Sequence, residues 1–147
     1  MLGSAKGDRS NPPIGNAKMT TITLDSNAYS AFMRGEKETL HTLATAEKVY
    51  LPLFVVGELH YGFRGGSKLQ ENLLQLQKFI EKPTVEVWLP TQETAAIYGE
   101  IMDSLKRNGN PIPINDVWIA CATIESGSKL VTYDQHFKSV PGLRLWE

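Results

Sequence analysis

Apolar residues recur along this chain with two different periods, and the two kinds of segment alternate. Thr-Ile-Thr-Leu at 21–24 is short, β-branched and apolar, which predicts a strand. Asp25-Ser26-Asn27 follows and supplies acceptors that can cap a helix to about Arg34, where Gly35 stops it. Leu40, Leu43 and Ala44 have helical spacing and predict a helix over 36–48. Residues 49–51 predict a second strand. Pro52 suits the first turn of a helix that carries Phe54, Val55, Glu58 and Leu59 to about Phe63. After the glycine break at 64–67, Leu69, Leu73, Leu76, Phe79 and Ile80 mark an amphipathic helix that Pro83 ends. A strand is expected at 85–88. A long helix starts at Thr91, with Ile97, Ile101, Met102 and Leu105 on its apolar stripe. A turn-rich loop at 108–113 leads to a helix from Asn115 to near Gly127. The pattern closes with a strand at 129–132, a short turn or helix at 135–138, and a last strand at 143–145.

Strands alternating with helices predict an α/β fold, a three-layer α/β/α arrangement around a mostly parallel sheet of five strands. The apolar share of 41% and charged share of 21% are those of an ordinary folded domain. With 147 residues the chain is long enough for one core without disulfides. Residues 1–18 have a different character. They are rich in Gly, Pro, Ser and Asn, and a second methionine, Met19, follows them. They read as an appended, irregular leader, which leaves 19–147 as a single domain. The whole chain carries −1. The leader holds Lys6, Arg9 and Lys18 against Asp8, so the domain itself is near −3. That balance argues against a protein that coats nucleic acid by bulk charge. It leaves room for a nuclease whose own acids are neutralised by metal. The one cysteine, Cys121, lies in an apolar helical run and reads as a small buried hydrophobe. One cysteine and no membrane-length apolar run fit a cytoplasmic protein.

In open α/β sheets, ligands bind beyond the carboxyl ends of the strands. Asp25 ends the first strand, and Asp134 lies just past the strand at 129–132. Asp116 sits in the first turn of its helix, and Glu58 interrupts an apolar helical stretch. Each has a structural reading of its own: Asp25 as a helix cap, Asp116 as a dipole partner, Asp134 as a turn residue, Glu58 as a solvated side chain. Together they carry more weight. Four converging carboxylates raise one another's pKa and become tolerable when a divalent cation shares them. Carboxylate oxygen suits Mg²⁺ or Mn²⁺, and such a site activates water against a phosphodiester.

Four segments resemble the PIN-domain family. Leu24-Asp25-Ser26-Asn27 is similar to its opening motif, and Gly57-Glu58-Leu59 with Gly62 to its second acidic motif. Ile114-Asn115-Asp116-Val117-Trp118-Ile119-Ala120 resembles the third. Leu130-Val131-Thr132-Tyr133-Asp134, His136-Phe137 and Pro141-Gly142-Leu143 resemble the closing motif. The order is that of the family across 21–147, and the branch resembled is the VapC-type toxin of bacterial VapBC toxin–antitoxin pairs. The resemblance implies Asp25, Glu58, Asp116 and Asp134 as catalytic and metal-binding acids around Mg²⁺ or Mn²⁺. It implies endonucleolytic cleavage of RNA to a 5′-phosphate and a 3′-hydroxyl, a homodimer, and inhibition by a small VapB-type antitoxin. By the same match, Asn27, Asn115 and Thr132 are supporting residues, with helix capping the competing role for Asn115. Trp118 stands where aliphatics are usual and reads as core.

His41, His60 and His136 are candidate acids or bases, and for His136 a structural hydrogen bond is the favoured role. Lys106, Arg107, Arg64 and Lys68 are candidate phosphate contacts. The apolar helices starting near Glu36 and Ser67 are candidates for the dimer or antitoxin surface. Three rivals stand beside this reading. A phosphoaspartyl enzyme of the haloacid-dehalogenase class expects a second acid where Asn27 stands. A non-catalytic PIN-like module, binding RNA or a partner, would be expected to lose acids that this chain keeps. A DNA-directed nuclease would use the same acids, since only 2′-hydroxyl contacts tell RNA from DNA.

Overall fold

The structure, a computed structural model, describes residues 20–147. The expected leader at 1–18 lies outside those residues. In chain order the elements are β1 (Thr21–Leu24), α1 (Ser26–Met33), α2 (Lys37–Thr45), β2 (Lys48–Pro52), α3 (Leu53–Arg64), α4 (Leu69–Ile80), β3 (Val85–Trp88), α5 (Gln92–Asn108), α6 (Ile114–Ser126) and β4 (Lys129–Val131). A short 3₁₀ helix, Gln135–Ser139, follows.

The strands form one sheet in the order β3-β2-β1-β4, and every pairing is parallel. The chain steps outward from β1 to β2 to β3. It then crosses back to lay β4 on the far side of β1. The change of direction leaves a crevice beyond the carboxyl ends of β1 and β4, where such sheets bind ligands. Helices must cover both faces there. Ile22, Thr23 and Leu24 alternate in direction, yet all three have no exposed surface. Thr23 can be buried because its hydroxyl pairs with Ser128 Oγ at 2.6 Å, which ties β1 to the approach to β4.

The core gathers Ile22, Leu24, Leu51, Val55, Phe79, Ile119, Leu130 and Phe137. Tyr29 and Phe32 meet Phe79 edge-on at ring-centroid distances of 5.2 and 5.4 Å, seating α1 on α4. Cys121 is buried with them, and burial pushes its thiol up to about 12. That fits a packing role.

Three expectations are corrected. The expected fifth strand at 143–145 is a single parallel bridge, Leu130 to Leu145. Leu130 donates its N–H to Arg144 and accepts from Trp146, each at 2.9 Å. β4 is only three residues long, and the Pro141-Gly142 turn delivers the chain to its edge for one residue only. The sheet therefore has four strands. Pro52 does not open α3. It closes β2 opposite Trp88 with extended backbone, and α3 starts one residue later. Asn115 does not cap α6 either. The helix starts at Ile114 behind Pro113, which has no side-chain acceptor, so Asn115 lies inside the first turn with its side chain free for other work.

Phe79 is 2% exposed, whereas Tyr61 is 85% exposed. Phe79→Ala is expected to destabilise the protein by about 3–5 kcal/mol in urea unfolding. Tyr61→Ala should stay within about 0.5 kcal/mol of the parent.

Candidate metal centre

Asp25 follows β1 directly and is the N-cap of α1. Its Oδ1 accepts the N–H of Ala28 at 2.8 Å. The sequence Asp-Ser-Asn after an apolar strand sets this up, since a carboxylate there satisfies an otherwise unpaired helix donor. Its N–H also reaches the carbonyl of Val131 at 3.5 Å, which carries the β1–β4 pairing to the edge of the crevice. On the β4 side Thr132 joins the two strand ends. Its hydroxyl donates to Asp25 Oδ2 and accepts the backbone N–H of Asp134 at 3.1 Å. Asn27 extends its amide toward Asp134 Oδ2 at 3.5 Å. The two strand-end acids are thus linked through Thr132 and Asn27.

Asp116 enters from the first turn of α6 and Glu58 from the middle of α3, helices that pack on each other. Asp116 Oδ2 lies 2.6 Å from Nε2 of His136, on the 3₁₀ helix. One ligand atom each from Asp116, Asp134 and His136 falls within 4.8 Å of the others. Asp25 and Glu58 stand outside this tight group, yet both feel it electrostatically. Burial is the main cause that lifts Asp25 to about 6. Thr132 and Ala28 oppose the rise, while Asp134 and Asp116 add to it. Burial lifts Glu58 too, with Asp116 and Asp134 adding their charge. Asp116 is raised by burial, opposed by His136, and raised further by Asp134. All four acids therefore act on one small volume.

The side chains of Asn115 and Ser26 face the Glu58 carboxylate and temper its rise. Neither satisfies Oε1, which is buried with no hydrogen-bond partner among the described residues. A buried, unpaired carboxylate oxygen is costly and calls for a counter-charge. Four crowded acids with one orphaned oxygen fit a divalent cation with oxygen ligands.

Sequence reasoning missed Ser26 at Glu58, although it stands inside the Asp25–Asn27 motif. It also missed Lys138, which shares a cleft of about 240 Å³ with Thr132 and Asp134. Arg107 is paired with Asp103 on its own helix at 3.1 Å. Arg64, Lys68 and Lys106 are exposed, as are His41 and His60, and neither histidine joins the acidic group. Trp118 is half-buried and stacks between Tyr98 and Phe54 at 3.8 and 5.7 Å, which is the packing role expected of it.

Comparison with known proteins finds a family and relatives for the chain. A family model described as PIN domain matches residues 22–143. Ribonuclease VapC1 of Haemophilus influenzae is 25% identical over 129 residues, covering 84% of this chain and 94% of its own. Ribonuclease VapC2 of Rickettsia felis is 30% identical over 107 residues, covering 72% of this chain and 78% of its own. The crystal structure of VapBC2 from Rickettsia felis, bound to a DNA fragment from their promoter, aligns with a TM-score of 0.76 at 27% identity. That alignment covers 86% of this chain and 98% of the other.

A carboxylate raised on folding destabilises the protein above its folded pKa, because the native state must give up a proton it holds more tightly than the unfolded chain does. In EDTA the protein should therefore gain stability as pH falls from 7.5 through about 6 toward 4, with Asp25 alone accounting for up to about 3 kcal/mol. Asp25→Asn keeps a capping acceptor and should flatten this dependence, raising the melting temperature in EDTA at pH 7.5. An unchanged pH profile in the variant would show that Asp25 carries no such penalty.

Proposed function

This chain belongs to the PIN-domain family, in its VapC-type branch, and from that premise we propose that it is a metal-dependent endoribonuclease, the toxin of a toxin–antitoxin pair. The observation that carries the reading is the convergence of Asp25, Glu58, Asp116 and Asp134 on one crevice, with an unpaired buried oxygen on Glu58. A binding module gains little from four mutually repelling acids.

In this reading the four acids hold Mg²⁺ or Mn²⁺. The bound cation supplies activation of the attacking water and neutralises charge at the scissile phosphate. The chain's own residues do the positioning. Thr132 fixes one oxygen of Asp25 while gripping the backbone of Asp134, so the two strand-end carboxylates keep a set separation. Asn27 steadies Asp134, and Asn115 and Ser26 orient Glu58. Lys138 beside the crevice offers a cation to a flanking phosphate. No histidine base or covalent nucleophile is needed.

The proposed partners follow the same kinship: an RNA substrate, a second copy of the chain and a VapB-type antitoxin. An apolar cleft of about 510 Å³ between α2 and α4, lined by Phe32, Leu40, Leu43, Phe79 and Val85, is a seat for an apolar segment of the antitoxin. Leu40 there is 39% exposed. Among the described residues, no helix is long and apolar enough to cross a membrane.

Purified protein incubated with total small RNA and Mg²⁺ or Mn²⁺ should yield discrete fragments with 5′-phosphate ends. EDTA should abolish them, and Asp116→Asn should slow their formation by about a hundredfold or more. Cleavage that persists in Asp116→Asn would remove the acids from the reaction. Folded, metal-loaded protein that cuts neither RNA nor DNA would favour the binding-module reading, and preference for DNA would reassign the substrate.

A further inference from the structure

His136 enters the crevice from the 3₁₀ helix, held by its neighbour Phe137, which is buried in the core. Its Nε2 lies 2.6 Å from Asp116 Oδ2, and it completes the group whose ligand atoms lie within 4.8 Å of one another. We propose that His136 is a direct ligand of the cation, making the site a mixed nitrogen–oxygen one that prefers Mn²⁺ over Mg²⁺. The inference rests on the metal-dependent reading above and deepens it.

Three observations support it. First, neighbouring ligands of an octahedral cation at about 2.1 Å sit about 3 Å apart and opposed ones about 4.2 Å apart. The Asp116 and His136 atoms, 2.6 Å apart, need to part by only about 0.4 Å to take neighbouring positions on one ion, and the ligand atoms of the trio all lie within 4.8 Å of one another. Second, no lysine or arginine among the described residues forms an ion pair with Asp116 or Asp134. The side chain within hydrogen-bond reach of Asp116 is an imidazole, which in its neutral form with the proton on Nδ1 presents a lone pair on Nε2 to a bound cation. Third, Glu58, which feels both acids, carries the buried and unpartnered Oε1, so the space beside the trio already lacks a positive group. A carboxylate-only site has little cause to discriminate Mn²⁺ from Mg²⁺. One imidazole shifts the preference toward the transition cation, following ligand softness and the usual affinity order of divalent metals.

The test is pulsed electron paramagnetic resonance of Mn²⁺ bound to the full chain, together with Mn²⁺ and Mg²⁺ binding isotherms. Wild-type protein should show the ¹⁴N coupling of a directly bound imidazole, and ¹⁵N-histidine labelling should convert it to the ¹⁵N pattern. His136→Ala, checked for folding by circular dichroism, should lose the coupling. It should bind Mn²⁺ about tenfold more weakly, with a smaller loss for Mg²⁺. Should that variant fail to fold, the labelled wild type still decides, because His41 and His60 lie outside the cluster. If Mn²⁺ binds in a manner that Asp116→Asn abolishes, yet shows no nitrogen coupling, His136 merely orients Asp116. The ligand assignment then fails while the acidic site stands. If wild-type protein binds Mg²⁺ but not Mn²⁺, the ligand assignment fails while the metal-dependent reading stands; if it binds neither, both fall together.

Discussion

Like charges crowded out of water are the constraint that the rest of this structure answers to. Two unit charges about 4 Å apart at a partly screened site repel by roughly 4 kcal/mol. Asp25, Glu58 and Asp116 are all raised by burial, and the charge of Asp134 adds to each. Such an arrangement relaxes unless a rigid frame holds it. The frame is a parallel sheet with its central strand buried on both faces, so β1 and β4 cannot shift without opening the core around Ile22, Leu24 and Leu130. The topological reversal then puts two strand ends side by side, and each is followed by an aspartate.

The fold softens the repulsion where it can. Asp25 caps α1 and Asp116 lies in the first turn of α6. These two acids therefore meet the positive ends of backbone dipoles or unpaired N–H groups, which favour the ionised form. Glu58 has no such help. It stands mid-helix, where no backbone donor is free, and its Oε1 is the buried oxygen left without a partner. In the proposed reading, a site poised this way gives up stability at neutral pH for readiness to take a cation. Stability given up locally at a functional centre is a common trade. In this reading the bound ion restores what the carboxylates cost.

Most of the fold was legible because its signals are short-range. The β-branched run at 21–24, the apolar stripe from Leu69 to Ile80 and the stops at Gly35 and Gly127 all act within a turn or two of chain. The misreadings came where two local rules competed. Pro52 satisfies both a strand end and a helix start, and pairing with Trp88 decided for the strand. Asn115 is a good cap in isolation, but Pro113 claims the position two residues earlier. The run at 143–145 has strand character, and only the shortness of β4 and the turn before it limit the pairing to one bridge.

The candidate acids were legible for a related reason. A carboxylate just past an apolar strand, or inside an apolar helical stretch, is conspicuous against its neighbours, so Asp25, Asp134 and Glu58 announce themselves by position. The sequence by itself therefore determined the α/β class, the order of elements up to the strand at 129–131, and which four acids are candidates, because period, capping and strand-end placement are written in nearby residues. Only the tertiary structure decided what those acids touch. Thr132 meets Asp25, and Asn27 meets Asp134, across 107 residues of chain, and His136 meets Asp116 across 20. Contacts at such separations are set by how the sheet reverses and how α3 and α6 pack, and no local pattern encodes that geometry.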